Sequence, residues 1–155
     1  MIYEYGIKQG ANGVRLVKER SVGKDRMCTE PAEIARLLQE AYKPWELAEE
    51  HAYVVALSSC GKVLGIFELA VGTINGALIA PLGVFQRLLL LNAPGFVFAH
   101  NHPSESLKPS KEDLAMTNRL KEAGELMQIT MLDSIILGGK RYWSWRKNEE
   151  EKKSS

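Results

Sequence analysis

A chain of 155 residues, 45% hydrophobic and 25% charged, has the length and composition of one soluble globular domain that buries a core without disulfide or metal staples. Its 20 Lys and Arg against 19 Asp and Glu leave a formal charge of +1, which gives no electrostatic footprint for nucleic acid or an anionic membrane. Cys28 and Cys60 lack Cys-x-x-Cys spacing, no stretch is apolar for the length of a membrane span, and no signal-peptide core opens the chain; the expectation is a cytoplasmic protein without a thiolate zinc site.

Residues 1–28 read as a two-stranded N-terminal β arm. Tyr3, Tyr5 and Ile7 alternate, Val14-Arg15-Leu16-Val17 forms a second strand, and Gly10, Asn12-Gly13 and Gly23 mark turns. Lys18, Arg20, Lys24 and Arg26 are interspersed with acids and form a solvated face. The main domain is expected over residues 29–147. Thr29-Glu30-Pro31 opens a helix with Ile34, Leu37, Leu38 and Ala41 on one face, and Lys43-Pro44 ends it. A hairpin follows, with Ala52–Leu57 and Val63–Val71 as strands and Ser59–Lys62 as the turn. Beyond a bend at Gly72, Asn75 and Gly76, a second helix over Val84–Asn92 is apolar nearly all round and is expected to be buried.

Phe96-Val97-Phe98, after Pro94-Gly95, reads as a buried strand. Side chains alternate along a strand, so His100 and His102 project to one side before Pro103 stops the pairing. A third helix spans Ser110 to Met127, with Leu114, Thr117, Leu120 and Met127 inward. Ile129–Leu132 and Ile135–Leu137 are strand material and Gly138-Gly139 a tight turn. Tyr142–Trp145 forms the last strand, with Trp143 and Trp145 on one face against a helix. Residues 148–155, rich in Glu and Lys, read as a charged flexible tail. The order implies an α/β fold, a mixed and largely antiparallel sheet sandwiched by helices.

Chemistry concentrates between Ala99 and Asp113. Ser110-Lys111-Glu112-Asp113 fits a capping box, in which serine and acid satisfy the first free amides of a helix. On that reading alone the two histidines are polar residues at a strand end. Two imidazoles directly after an apolar strand are costly, however, unless something pairs with them. His100, His102 and Asp113 together offer three ligands and leave a fourth position open, the count of a catalytic zinc site. Imidazole and carboxylate also suit other divalent ions.

His-x-His, seven residues, Ser, two residues and Asp resembles the JAMM (JAB/MPN) metalloprotease signature. His100-Asn101-His102-Pro103-Ser104 and Pro109-Ser110-x-x-Asp113 look like its bacterial RadC branch, as do Gly72-Thr73-Ile74 and the run Leu88–Ala93. The resemblance covers roughly Glu50 to Arg146. Two departures stand out: Ser104-Glu105-Ser106-Leu107 where the family usually reads Ser-Gly-Asp-Pro, and Asp133-Ser134 where it usually reads Asp-His. The resemblance implies a JAMM/MPN, cytidine-deaminase-like architecture and a zinc-dependent hydrolase cleaving a peptide or isopeptide bond in a peptide or protein substrate. It implies His100, His102 and Asp113 as ligands of Zn2+, Ser110 as support for the oxyanion, and Glu50 as general base. Glu68, mid-strand between Phe67 and Leu69, is the other candidate for the base.

Two further classes compete. RadC relatives carry a DNA-repair label, and His100-Asn101-His102 invites comparison with HNH nucleases. In those enzymes, though, the three letters are dispersed over a ββα unit. The near-neutral charge and the lack of the helix-hairpin-helix region found in longer RadC proteins also speak against autonomous DNA binding. A non-catalytic MPN interaction module is the other alternative; such modules typically lose the ligands that this sequence keeps.

Overall fold

The computed structural model describes residues 1–155. Seven strands form one sheet: β1 Ile2–Gly10, β2 Gly13–Gly23, β3 His51–Leu57, β4 Val63–Val71, β5 Gly95–Asn101, β6 Thr130–Gly138 and β7 Arg141–Ser144. Their order is β2-β1-β4-β3-β5-β6-β7. β1 runs parallel to β4 and β5 parallel to β6, and the remaining neighbours are antiparallel. Four helices accompany it: α1 Pro31–Tyr42, α2 Pro81–Leu90, α3 Lys111–Met127 and α4 Trp145–Ser154. The fold is the mixed, largely antiparallel sheet between helices that the sequence implies.

Strand alternation divides the core in two. Tyr53, Val55, Leu57, Val97 and Ala99 face α1 and meet Ile34, Leu37 and Leu38. Ala52, Val54, Ala56, Phe96 and Phe98 face the other way and meet Val84, Phe85 and Leu88 of α2 with Met116 and Leu120 of α3. β3 and β5 are therefore covered on both faces, and this rigid pair ends at the candidate site.

Several expectations need correction. The two N-terminal strands are present, but they extend the main sheet: Glu4 of β1 lies opposite Ile66 of β4, and Ile2 is fully buried in the core beneath α1. Pairing satisfies backbone groups that β4 would otherwise leave unbonded at an edge. Helix α2 starts at Pro81 and is not buried all round; Leu82 is 81% and Leu89 58% exposed. It lies on the sheet surface, so only Val84, Phe85 and Leu88 turn inward. The inward stripe of α3 is Asp113, Met116, Thr117, Leu120 and Gly124, while Leu114 and Met127 are exposed. Asp113 must face the histidines, and the helical period then fixes the rest.

β6 runs unbroken through Asp133-Ser134, because these buried polar groups are satisfied. Asp133 Oδ2 accepts from Ser144 Oγ at 2.7 Å and Oδ1 from the Arg146 amide at 2.9 Å, and the Ser134 and Thr117 hydroxyls lie 2.9 Å apart. β7 stops at Ser144, so Trp145 opens α4 and does not share a strand face with Trp143. Residues 148–154, expected as a flexible tail, continue that helix. Ser144 caps it by accepting from the Lys147 amide, and Glu149–Lys152 and Arg146–Glu150 pair along its surface.

Ile2→Ala should cost on the order of 2–4 kcal/mol, because it opens a cavity in the α1-side core. Urea unfolding at equilibrium measures it. A loss below about 0.5 kcal/mol would mean that the N-terminal hairpin is a loose arm after all.

Candidate metal centre

The end of β5 delivers both imidazoles. His100 is buried on the α2/α3 face with its ring 5.8 Å from that of Phe98, and His102 follows one residue beyond the strand, its amide donating to the Leu137 carbonyl of β6 at 2.8 Å. The first turn of α3 brings the carboxylate. Ser110 Oγ accepts from the Asp113 amide at 3.0 Å, and the Ser110 amide donates to Asp113 Oδ2 at 2.9 Å. The capping box is thus real, and it does not compete with the site: the same carboxylate faces both histidines.

The three groups converge on one point. The two Nε2 atoms are 3.1 Å apart, His100 Nε2 lies 3.2 Å from Asp113 Oδ1, and His102 Nε2 lies 3.2 Å from Asp113 Oδ2. Ligands about 2.0–2.1 Å from a tetrahedral zinc stand roughly 3.3 Å from one another, so donor type and spacing both fit that ion. His102 Nδ1 lies 2.8 Å from the Ser106 carbonyl. Donating there, the ring keeps its Nε2 lone pair for the shared point, the second bond that fixes a ligating histidine. His100 Nδ1 is buried and has no partner.

Charge follows the same geometry. Burial pushes the Asp113 carboxyl up, but hydrogen bonds from His100, His102 and the Ser110 amide outweigh it and hold the group well below the usual carboxylate range. The hydrogen bond to Asp113 raises the His102 imidazole, with burial opposing. An anionic carboxylate is therefore shared by two rings that a cation can bind only in deprotonated form.

Glu50 immediately precedes β3, in register with Ala52 and Val54, on the face that carries His100. Its carbonyl accepts from the Gly72 amide at 2.9 Å and its Oε2 from the Ile74 amide at 2.8 Å. It lines a cleft of about 350 Å³ together with Asn75, His102, Ser110 and Asp113. Glu68 lies elsewhere. It pairs opposite Tyr53 on the α1 side, with its carboxylate 3.4 Å from His51 Nδ1. The loop after the histidines departs from the letters that the resemblance leads one to expect. Glu105, at the family's usual glycine, holds a left-handed φ of 64° and donates its amide to the His102 carbonyl. The sequence reading missed Asn101 and the carbonyls of Ser106 and Leu137. Buried polar parity flags Asn101 alone, since carbonyl partners leave no trace in side-chain identity.

Comparison with known proteins gives a consistent picture. The model of the RadC-like JAB domain matches residues 28–151. A UPF0758 protein of Desulfitobacterium hafniense is 37% identical over 129 residues, covering 81% of this chain and 56% of the relative. A UPF0758 protein of Thermotoga maritima is 35% identical over 132 residues, covering 81% and 60%. One from Staphylococcus haemolyticus is 37% identical over 116 residues, covering 75% and 50%. The chain spans about half the length of the curated relatives it matches.

Protons and metal compete for His102. The His102–Asp113 pair stabilises the metal-free protein below the ring's unfolded pKa of about 6.5, and that contribution is lost as pH rises through the raised folded pKa. Metal binding requires the deprotonated ring, so its affinity grows over the same interval. The increase in thermal midpoint on adding Zn2+ should therefore be small at pH 5 and large at pH 8, with protons released on binding. A zinc-induced shift independent of pH would place the ion on other groups.

Proposed function

This chain belongs to the RadC-like JAB domain family, and from that premise we propose that it is a zinc-dependent hydrolase that adds water across a peptide or isopeptide bond. The observation that carries the reading is the presence of Glu50, Ser110, His102 and Asp113 on one cleft, with His100 behind them. His100, His102 and Asp113 would hold the ion. A zinc ion held there supplies Lewis acidity, which eases ionisation of a water and polarises a carbonyl.

The protein's own groups supply the rest. Glu50 Oε2 is engaged by the Ile74 amide, which orients the carboxylate and leaves Oε1 to accept a proton from the attacking water. The same oxygen returns that proton to the departing amine nitrogen as the C–N bond breaks, general acid–base work worth about 10²–10⁴ in rate. Ser110 Oγ accepts from the Asp113 amide, so its own proton is free to donate to the oxygen that gains charge when the carbonyl is attacked. Such a donor contributes roughly 3–4 kcal/mol.

A nucleic-acid substrate finds no support here. Apart from the ion itself the cleft offers a phosphate backbone no cationic partner: Glu50 and Glu112 line it and no Lys or Arg does. A purely interacting module would not need the complete ligand set. No helix of the protein is long and apolar enough to cross a membrane. A cytoplasmic location belongs to the same reading, on the strength of two cysteines without motif spacing.

Glu50→Gln keeps shape and hydrogen bonding but removes the base. Turnover of a peptide or isopeptide library should fall by about 10²-fold or more, with zinc content unchanged and Glu68→Gln near wild type. Activity that survives Glu50→Gln and disappears with Glu68→Gln would show that the base is on the other face.

A further inference from the structure

Asn101 lies between His100 and His102 in the sequence, so its side chain leaves the face that the imidazoles use, and it is 1% exposed. Both ends of its carboxamide are occupied: Oδ1 accepts from the His51 amide at 2.6 Å, and Nδ2 donates to the Glu49 carbonyl at 3.1 Å. Those two backbone groups flank Glu50. The antiparallel pairing of β3 with β5 ends at Ala52 opposite His100; one more step would set His51 against Asn101, and a second Glu50 against His102. The ladder does not continue. The His51 amide donates to the Asn101 side chain, while the His102 amide and the Glu50 carbonyl keep bonds to their outer neighbours, Leu137 of β6 and Gly72 beyond β4. Between these outer-held segments the strand pair opens as a fork, and Glu50 and His102 line the opening. At the base of the fork the side chain of Asn101 supplies what a peptide unit supplies in a ladder, one acceptor and one donor.

We infer that Asn101 is a positioning residue of this site, whose carboxamide fixes the gap between the histidine-bearing strand and the segment Glu49–His51 and so sets where the Glu50 carboxylate stands relative to His100 and His102. The inference rests on the reading of Glu50 as general base. It explains the residue type as well as the place. Aspartate has the same shape and keeps the acceptor for His51, but it turns an acceptor toward the Glu49 carbonyl. Leucine fills similar volume and leaves the half-buried His51 N–H and Glu49 C=O without that partner. Serine is too short to span both groups.

Residue-resolved amide hydrogen exchange on the zinc-loaded chain, with kcat and KM on any library peptide turned over, tests this in Asn101→Asp and Asn101→Leu. Exchange at His51, Gly72 and Ile74 should quicken by about tenfold or more, while Val54 and Phe98 in the paired strands keep wild-type protection. Zinc content should stay unchanged, and kcat should fall by about tenfold with KM unaltered, since misplacing a base affects the chemical step and not ground-state binding. Wild-type exchange at Gly72 and Ile74 would overturn the inference. So would a loss of protection spread evenly over β3 and β5, which marks a merely structural residue. If Asn101→Leu does not fold, Asn101→Asp decides the matter. Full activity in Glu50→Gln would sink the general-base reading instead, and the exchange data would still report whether Asn101 holds the fork.

Discussion

One carboxylate holds the site together. Asp113 is the third residue of a helix, and its Oδ2 accepts from the Ser110 amide as part of a cap. The same group faces His100 through Oδ1 and His102 through Oδ2, each at 3.2 Å. Burial alone would favour the protonated acid; two imidazoles and an amide reverse that. The register of α3 against the sheet follows from this choice. Once Asp113 points inward, Met116, Thr117, Leu120 and Gly124 must as well, and the loop from Pro103 to Pro109 must have the length to bring the helix N-terminus over the end of β5.

That loop is held from beneath. Gly138, at the end of β6, has no room for a side chain: a Cβ there would stand 2.6 Å from the Glu105 carbonyl. Arg141 donates to the same carbonyl at 3.1 Å. The loop thus rests on the β6–β7 turn and presents the Ser106 carbonyl to His102 Nδ1. Glu105 takes up a left-handed conformation that glycine would adopt at less cost. The contacts with Gly138 and Arg141 hold the loop where the Ser106 carbonyl meets His102 Nδ1, which leaves His102 Nε2 toward Asp113.

Much of the site could be read in the sequence, because its parts are local. Alternation places His100 and His102 on one side and the capping pattern starts α3 at Ser110, whereas Glu50 stands out only through the family resemblance, with parity setting Glu49 aside. Other features depend on what lies across the sheet. The leucines of α2 are apolar whether or not a layer covers them, so composition could not tell Leu88 from Leu89. The stripe of α3 turned on an acid, where hydrophobic periodicity looks only at apolar residues. The tail became helical through a cap from Ser144 and the Arg146 amide donating to buried Asp133, some distance back in the chain. Asn101 was missed because its partners are backbone groups fifty residues away.

The proposed hydrolytic chemistry depends on a cation at the point where two strand-borne rings and a helix-borne carboxylate meet. Elemental analysis of purified protein beside His102→Ala measures it most directly. The account predicts about one zinc per chain in the unaltered protein, and loss of that zinc in the variant while it remains folded. Equal zinc in both, or none in either after incubation with Zn2+ at pH 8, would contradict it.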